Sequence, residues 1–194
     1  MVNPKDVKKN NGTQCGDVLI LTKPLGVGLT LNALRMDDCS KEMQERVFKS
    51  MTTLNKYACD VLKKYDVHAL TDVTGFGLLV HLNEMLDEKN SAVIYKDSIP
   101  YFDDCQKYVE EFYLSGAAQT NRNSVEGKIR FDCDFFTEEI LFDTQTSGGL
   151  LASVSKADLE RLEKDFKENN LELYVVGEVI EKNEYNVYVR GRKI

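Results

Sequence analysis

Asp72 stands in a turn between a strand-like and a helix-like segment, within the stretch Thr-Asp-Val-Thr-Gly-Phe-Gly (71–77). A carboxylate at the end of a strand can offer a hard oxygen ligand to Mg²⁺, and free amides at the start of the following helix attract an anion. Asp and Thr are also common helix caps. Residue chemistry alone therefore leaves two interpretations open. Asp72 is a magnesium ligand, or Asp72 or Thr74 caps the helix.

Two further glycine-bearing segments lie next to the ends of predicted strands: 143–149 precedes the strand 150–155, and 23–28 follows the strand 17–22. In Asp-Thr-Gln-Thr-Ser-Gly-Gly (143–149), small hydroxyls could bind phosphate or sugar oxygens, and the glycines would let a ligand approach the backbone. The alternative is a glycine bulge that begins a strand. The segment 23–28 has only Gly-x-Gly, without the third glycine of a dinucleotide site, and the chain has no Walker A motif. A turn followed by a helix start is the favoured interpretation of 23–28.

Other polar residues give weaker signals. Residues 120–123 (Thr-Asn-Arg-Asn) lie in a polar stretch, 116–130, and could contact a bound anion or form solvated turns. His81 has no ligand partner four residues away, so we predict a half-buried helix residue without a catalytic role. The five cysteines lack a C-x-x-C pair, which argues against a zinc site and predicts small, buried apolar residues.

The hydrophobic pattern predicts the elements that position these segments. Strands are predicted at 17–22, 67–73, 92–96, 150–155, 173–180 and 185–190, the last two as a hairpin. Helices are predicted at 42–65 with Ser40 as N-cap, at 76–87, around 102–112 with Gly116 as terminator, and at 156–169. The stretch 116–130 is predicted to be irregular. Because strands and helices mix without strict alternation, we predict an α+β fold with a mixed β-sheet packed against α-helices.

Composition narrows the functional classes. The 194 residues suit one domain, with 42% hydrophobic and 29% charged residues. No apolar run approaches the roughly 20 residues of a membrane span, and the N-terminus lacks a signal peptide, so we expect a cytoplasmic protein without membrane contact. The formal net charge of −7 argues against nucleic-acid binding. An anionic ligand would need divalent cations to offset the repulsion.

Three stretches occur in order: GDVLILTKPLGVG (16–28), TDVTGFGLLVHLNEM (71–85) and DTQTSGGLL (143–151). Together with VVGEVI (175–180), they resemble the C-terminal domain of the selenophosphate synthetase (selenide, water dikinase) family, which belongs to the aminoimidazole ribonucleotide synthetase-like superfamily. The resemblance runs from about Gly16 to Arg190. It implies a lead-in at 1–15, followed by a single α+β domain at 16–194.

The resemblance also implies an activity: ATP, selenide and water would give selenophosphate, AMP and phosphate. Mg²⁺ would be required, with Asp72 as one of its ligands. The phosphates would lie near Thr71, Thr74, Gly75, Gly77, Thr146, Ser147, Gly148 and Gly149. In this family the reactive Cys or selenocysteine, a lysine and the partner carboxylates belong to an N-terminal domain. That domain would be the partner of this chain, and the full-length enzyme would be a homodimer.

The chain departs from the family pattern in several places. Val80 and Gln119 replace glycines, and Thr144 replaces a proline. None of the cysteines matches the reactive position, so the chain is expected to be inactive alone. Two alternatives remain: a non-catalytic binding or regulatory module with the same fold, and another ATP-dependent member of the superfamily.

Overall fold

A computed structural model describes residues 7–192 of the chain. In this part, seven strands form one mixed sheet in the order β2-β5-β1-β6-β3-β7-β4. The β3–β7 and β4–β7 pairs are parallel and the other pairs are antiparallel. The strands are β1 (Val18–Leu21), β2 (Val67–Asp72), β3 (Asn90–Tyr95), β4 (Ile129–Phe131), β5 (Leu150–Val154), β6 (Tyr174–Glu181) and β7 (Val187–Arg190). The predicted α+β class with a mixed sheet is confirmed.

Eight α-helices pack around this sheet in the described residues. They are α1 (Val27–Arg35), α2 (Lys41–Thr52), α3 (Lys56–Leu62), α4 (Gly77–Met85), α5 (Cys105–Glu110), α6 (Gly116–Ser124), α7 (Phe135–Phe142) and α8 (Leu159–Glu168). Short 3-10 turns occupy Lys96–Ser98 and Lys156–Asp158. Ser40 is the N-cap of α2, as predicted, because its Oγ accepts the Met43 amide at 3.1 Å.

Alternation along the strands divides the core between the two faces of the sheet. Leu19 and Leu21 of β1 join the larger apolar cluster with residues of α1, α4 and α7. Val18 and Ile20 join a smaller cluster with residues of α3 and α8. Because β1 is buried on both faces, it reads in the sequence as an unbroken apolar run. The central strands are therefore packed on both faces and position the turns at their ends.

The helix predicted at 42–65 is wrong as a single element. The chain leaves the helix after Thr52 and resumes it at Lys56. The Lys23 ammonium donates to the Thr53 carbonyl at 2.8 Å, and Asn55 Nδ2 donates to the Gly148 carbonyl at 2.9 Å. Leu54, at the break, is 61% exposed. Polar contacts with distant residues override the local apolar period here.

The stretch 116–130, predicted to be irregular, contains α6 and β4. Gly116 begins α6 and does not end the preceding helix, which stops at Glu110. Phe112 adopts a left-handed φ of 58° and is 73% exposed. The hydrophobic pattern did not predict α6, because most of its residues are polar and few are buried. The sequence pattern gave no prediction for α7, and it indicated α1 only as a helix start within 23–28.

The predicted C-terminal hairpin is wrong too. Strand β3 lies between β6 and β7, pairing antiparallel with β6 and parallel with β7. Ala92 of β3 is thus opposite both Val179 and Val187. Short spacing between two strands favours a hairpin, but insertion of a distant strand is a non-local choice that the spacing cannot report.

Candidate functional site

The three glycine-bearing segments meet at one end of the sheet. Asp72 ends β2 opposite Leu150 of β5, and Thr22 follows β1 and donates its amide to the Leu150 carbonyl at 3.1 Å. The Val73 amide donates to the Gly149 carbonyl at 2.8 Å. The strand order β2-β5-β1 therefore joins segments that are far apart in the sequence. Their position at strand ends was predicted, but their contact was not.

Most of the glycines in these segments serve close packing. A Cβ on Gly148 would lie 2.3 Å from the Val73 carbonyl oxygen, and one on Gly149 would lie 2.6 Å from the Lys23 amide nitrogen. A Cβ on Gly28 would lie 2.4 Å from Asp143 Oδ1. Gly75 differs, because a Cβ there would meet no atom within 4 Å. Among these four glycines, only Gly75 leaves open space beside the backbone.

The Asp72 carboxylate is exposed at the end of β2. Within residues 7–192, no hydrogen bond or ion pair engages its oxygens. The first turn of α4 has Phe76 at its N-cap position and receives no side-chain capping bond. The helix-cap interpretation of Asp72 and Thr74 is therefore wrong. A carboxylate that is free of protein partners remains available to a cation.

The turn around Thr74 is held by His81, which is only 7% exposed. Its Nε2 lies 3.1 Å from both the amide nitrogen and the Oγ1 of Thr74. A backbone amide can only donate, so Nε2 accepts, and the proton of the neutral ring is on Nδ1. Nδ1 lies 3.6 Å from Glu84 Oε2 and makes no hydrogen bond in the described structure. His81 is buried, so the predicted half-buried position is wrong, and its ring fixes the backbone two residues after Asp72.

Helix α6 supports the same turn from the other side. Asn121 Nδ2 donates to the Gly75 carbonyl at 2.9 Å. Arg122 donates to Glu139 Oε1 at 2.6 Å and lies over the Phe142 ring at 4.8 Å. Of the predicted anion contacts at 120–123, Asn121 and Arg122 are therefore occupied by protein partners. The sequence spacing gave no sign of either contact.

The carboxylate of Asp143 is buried at the start of α1. Its Oδ2 accepts the Gly28 amide and Gln145 Nε2, both at 3.0 Å. The Val27 amide is taken by Gln145 Oε1 at 3.3 Å. Burial raises the pKa of the Asp143 carboxyl to about 7, although hydrogen bonds from the amides and Gln145 oppose this shift. The segment 23–28 is thus a turn and helix start, as the sequence favoured, and in the structure the Val27 and Gly28 amides already have side-chain acceptors.

Thr146 and Ser147 are exposed, whereas Gly148 and Gly149 are buried beneath them. Ser147 has a left-handed φ of 51°, which is uncommon for a residue with a side chain. Its carbonyl accepts the Lys23 ammonium at 2.8 Å. The two hydroxyls are therefore presented at the same end of the sheet as Asp72.

Among residues 7–192, no group of three or more His, Cys, Asp or Glu side chains could hold a metal ion. Asp72 can supply one ligand, and water or another domain would have to supply the rest. The five cysteines are free thiols; Cys105 is buried as predicted, but Cys15 is exposed. In the same described part, no helix is both long and apolar enough to cross a bilayer.

Comparison with known proteins places this geometry in context. Residues 14–190 match the family described as "AIR synthase related protein, C-terminal domain". A selenide, water dikinase from Agathobacter rectalis is 43% identical over 190 residues, which cover 97% of this chain and 56% of that protein. The chain therefore spans about half the length of this curated relative.

Solved structures share the fold. A thiamine-monophosphate kinase from Stenotrophomonas maltophilia K279a superposes with a TM-score of 0.69 at 16% identity, covering 100% of this chain and 56% of that chain. The hydrogenase maturation protein HypE in complex with ATP gives a TM-score of 0.63 at 16% identity, covering 94% and 48%. At these identities the likeness concerns the fold alone.

Proposed function

Because the chain belongs to the family described as AIR synthase related protein, C-terminal domain, we propose that it is the C-terminal domain of a selenophosphate synthetase. The whole enzyme would use ATP, selenide and water to make selenophosphate, AMP and phosphate. The similarity to a selenide, water dikinase over nearly the whole chain carries this proposal. An N-terminal domain would provide the remaining half of the site and the contacts of a homodimer.

Asp72 has the properties that a magnesium ligand requires. It is exposed and unpaired within the described residues, and the turn that carries it is fixed by His81 and Asn121. Bound magnesium would offset the charge of the nucleotide phosphates and polarise the phosphoryl group. Its other ligands would come from the N-terminal domain, the phosphates and water, because the described part of this chain has no group of three or more His, Cys, Asp or Glu side chains that could hold a metal ion.

Residues near Asp72 would receive the phosphates as the two domains close. Gly75 leaves room for a phosphate oxygen to approach the backbone. Thr146 and Ser147 expose hydroxyl donors at the same sheet end. Gly77, Gly148 and Gly149 would act indirectly, by allowing the close packing that shapes these turns; a Cβ on Gly77 would lie 2.8 Å from the Phe142 carbonyl oxygen. Thr71 would lie near the phosphates, as the residue of β2 that precedes Asp72.

The test is Asp72→Asn in the full-length enzyme. The substitution keeps the shape but removes the charge, so we expect turnover to fall about 100-fold or more, with a raised Mg²⁺ requirement. Folding should be unaffected, because Asp72 has no protein partner within the described residues. Asp37→Asn, at an exposed carboxylate in the turn after α1, is the matched control. Wild-type turnover of Asp72→Asn at limiting Mg²⁺ would refute the ligand assignment.

The same assay tests the division of the site between two domains. The purified 194-residue chain, supplied with Mg²⁺, ATP and selenide, should form no selenophosphate. Activity of this chain alone would contradict the proposed sharing of ligands with an N-terminal domain. Restored activity on mixing with a separately prepared N-terminal half would support it directly.

A further inference from the structure

Lys23 is a buried cation without an anionic partner. It is 7% exposed, and its ammonium donates to the Thr53 and Ser147 carbonyls, both at 2.8 Å. No carboxylate within residues 7–192 pairs with it, and burial lowers its pKa. An ammonium has three donors, so one remains. Buried charges are ordinarily paired, because removing an ion from water is unfavourable unless another charge compensates it.

Lys23 lines a cavity of about 540 Å³, which we call the Lys23 cavity. Its walls are the break between α2 and α3, the segment 100–103 and the segment 170–174. Pro24, Leu54 and Phe102 give these walls apolar surface, and Tyr101 adds an aromatic ring that is 40% exposed. Both the volume and the mixture of apolar walls with a few polar groups are typical of small-molecule sites.

The charged groups around the Lys23 cavity favour an anion. Lys49 also lines it and has no ion pair among the described residues. Arg46 is engaged by Asp103 at 2.5 Å, which leaves Glu172 as the other acidic residue in the walls. Two unpaired lysines at one cavity are unusual in a chain whose net charge is −7. A bound anion would neutralise them.

Asn55 sets a second requirement for a ligand of the Lys23 cavity. It lines the same cavity, and its Oδ1 is buried without a hydrogen-bond partner among the described residues. Its Nδ2 is already used by the Gly148 carbonyl. A buried acceptor without a hydrogen bond destabilises the protein, so the occupant should carry a donor as well as negative charge.

We propose that the Lys23 cavity binds a small phosphomonoester. The phosphate would accept from Lys23 and Lys49, a hydroxyl of the ligand or of the protonated phosphate would donate to Asn55 Oδ1, and the apolar part would pack against Pro24 and Tyr101. This binding site goes beyond the proposed function and requires neither Asp72 nor magnesium.

The test measures binding to the 194-residue chain by calorimetry, without metal. Phenyl phosphate is the probe, and phenol and inorganic phosphate separate the contributions of ring and charge. We expect phenyl phosphate to bind with a Kd below about 1 mM, more tightly than inorganic phosphate, and phenol not to bind. Affinity should fall as salt rises, because charge attracts the ligand. Amide NMR shifts should move at Tyr101 and Asn55.

Variants locate the site. Lys49→Ala removes an exposed side chain and should weaken phenyl phosphate about threefold to tenfold without loss of stability. Lys23→Met should abolish binding, with circular dichroism to confirm folding. Lys128→Ala, at the far edge of the sheet, is the control and should bind normally. Absence of binding to the wild-type chain, equal affinity in Lys49→Ala, or an equal loss in Lys128→Ala would overturn the proposal.

Discussion

The turn at 71–77 and the segment at 143–149 look alike in the sequence but use their carboxylates in opposite ways. Each begins near an aspartate, continues through hydroxyl residues and ends in two glycines. Asp72 is exposed and has no side-chain partner within the described residues, whereas Asp143 is 1% exposed and its Oδ2 accepts the Gly28 amide of α1. Burial therefore separates a carboxylate that is available to a ligand from one that organises the protein.

The largest expected difference between Asp143 and Asp72 is in their contribution to the free energy of unfolding. Asp143→Ala would remove the buried carboxylate that the Gly28 amide and Gln145 Nε2 share, leaving them only the Thr144 and Asp143 carbonyls, so we expect a loss of about 2–3 kcal/mol in the free energy of unfolding. Asp72→Ala should change it by less than about 0.5 kcal/mol, because nothing in the described structure depends on that side chain. Urea unfolding of both variants measures the contrast. Equal losses would show that the two carboxylates do not differ in structural role.

The second test uses pH. Because burial raises the pKa of Asp143 from 3.8 to about 7, the folded state holds its proton more tightly than the unfolded state. Its contribution to stability is therefore full below pH 4 and is lost as pH rises through about 7. Asp143→Asn should flatten the decline between pH 4 and 7 by on the order of 3 kcal/mol. Asp72→Asn should leave the profile unchanged.

His68 adds to the wild-type profile in the same direction. Burial lowers its pKa, but the hydrogen bond and charge of Asp17, with those of Asp66, outweigh burial and raise it overall. The stability that the protonated His68 gains from these carboxylates is present below its unfolded pKa of 6.5. It is lost as pH rises through the higher pKa of His68 in the folded state. A residual slope in Asp143→Asn above pH 6.5 is thus expected. A slope identical to the wild type would contradict the assignment to Asp143.

The smallest expected effect concerns how the Asp72 turn is held. His81→Ala should cost about 1–2 kcal/mol, because the Thr74 amide loses its acceptor. In the full-length enzyme it should raise the Mg²⁺ concentration needed for half-maximal activity more than it lowers maximal turnover. His81→Gln, whose oxygen can accept the same amide, should restore part of the Mg²⁺ affinity. Equal behaviour of His81→Ala and His81→Gln would mean that His81 only fills space.

Local pattern determined much of this protein in advance. The buried run of β1, the Ser40 cap and the α+β class follow from residues adjacent in the chain, as does the placement of the glycine segments at strand ends. Tertiary structure decided the break at Thr53, the helix α6 and the insertion of β3 between β6 and β7. Each depends on contacts between residues far apart in sequence, such as Lys23 with Thr53.

The same distinction governs the candidate site. The sequence could name Asp72 as a carboxylate at a strand end, but could not choose between cap and ligand. The cap is excluded only after folding, because α4 begins without a side-chain cap and His81 Nε2 contacts both the amide and the Oγ1 of Thr74; the ligand role is our proposal. Three segments that are far apart in the sequence meet at this end of the sheet. The burial and the hydrogen bonds of each side chain there depend on that meeting, so only the tertiary structure determines them.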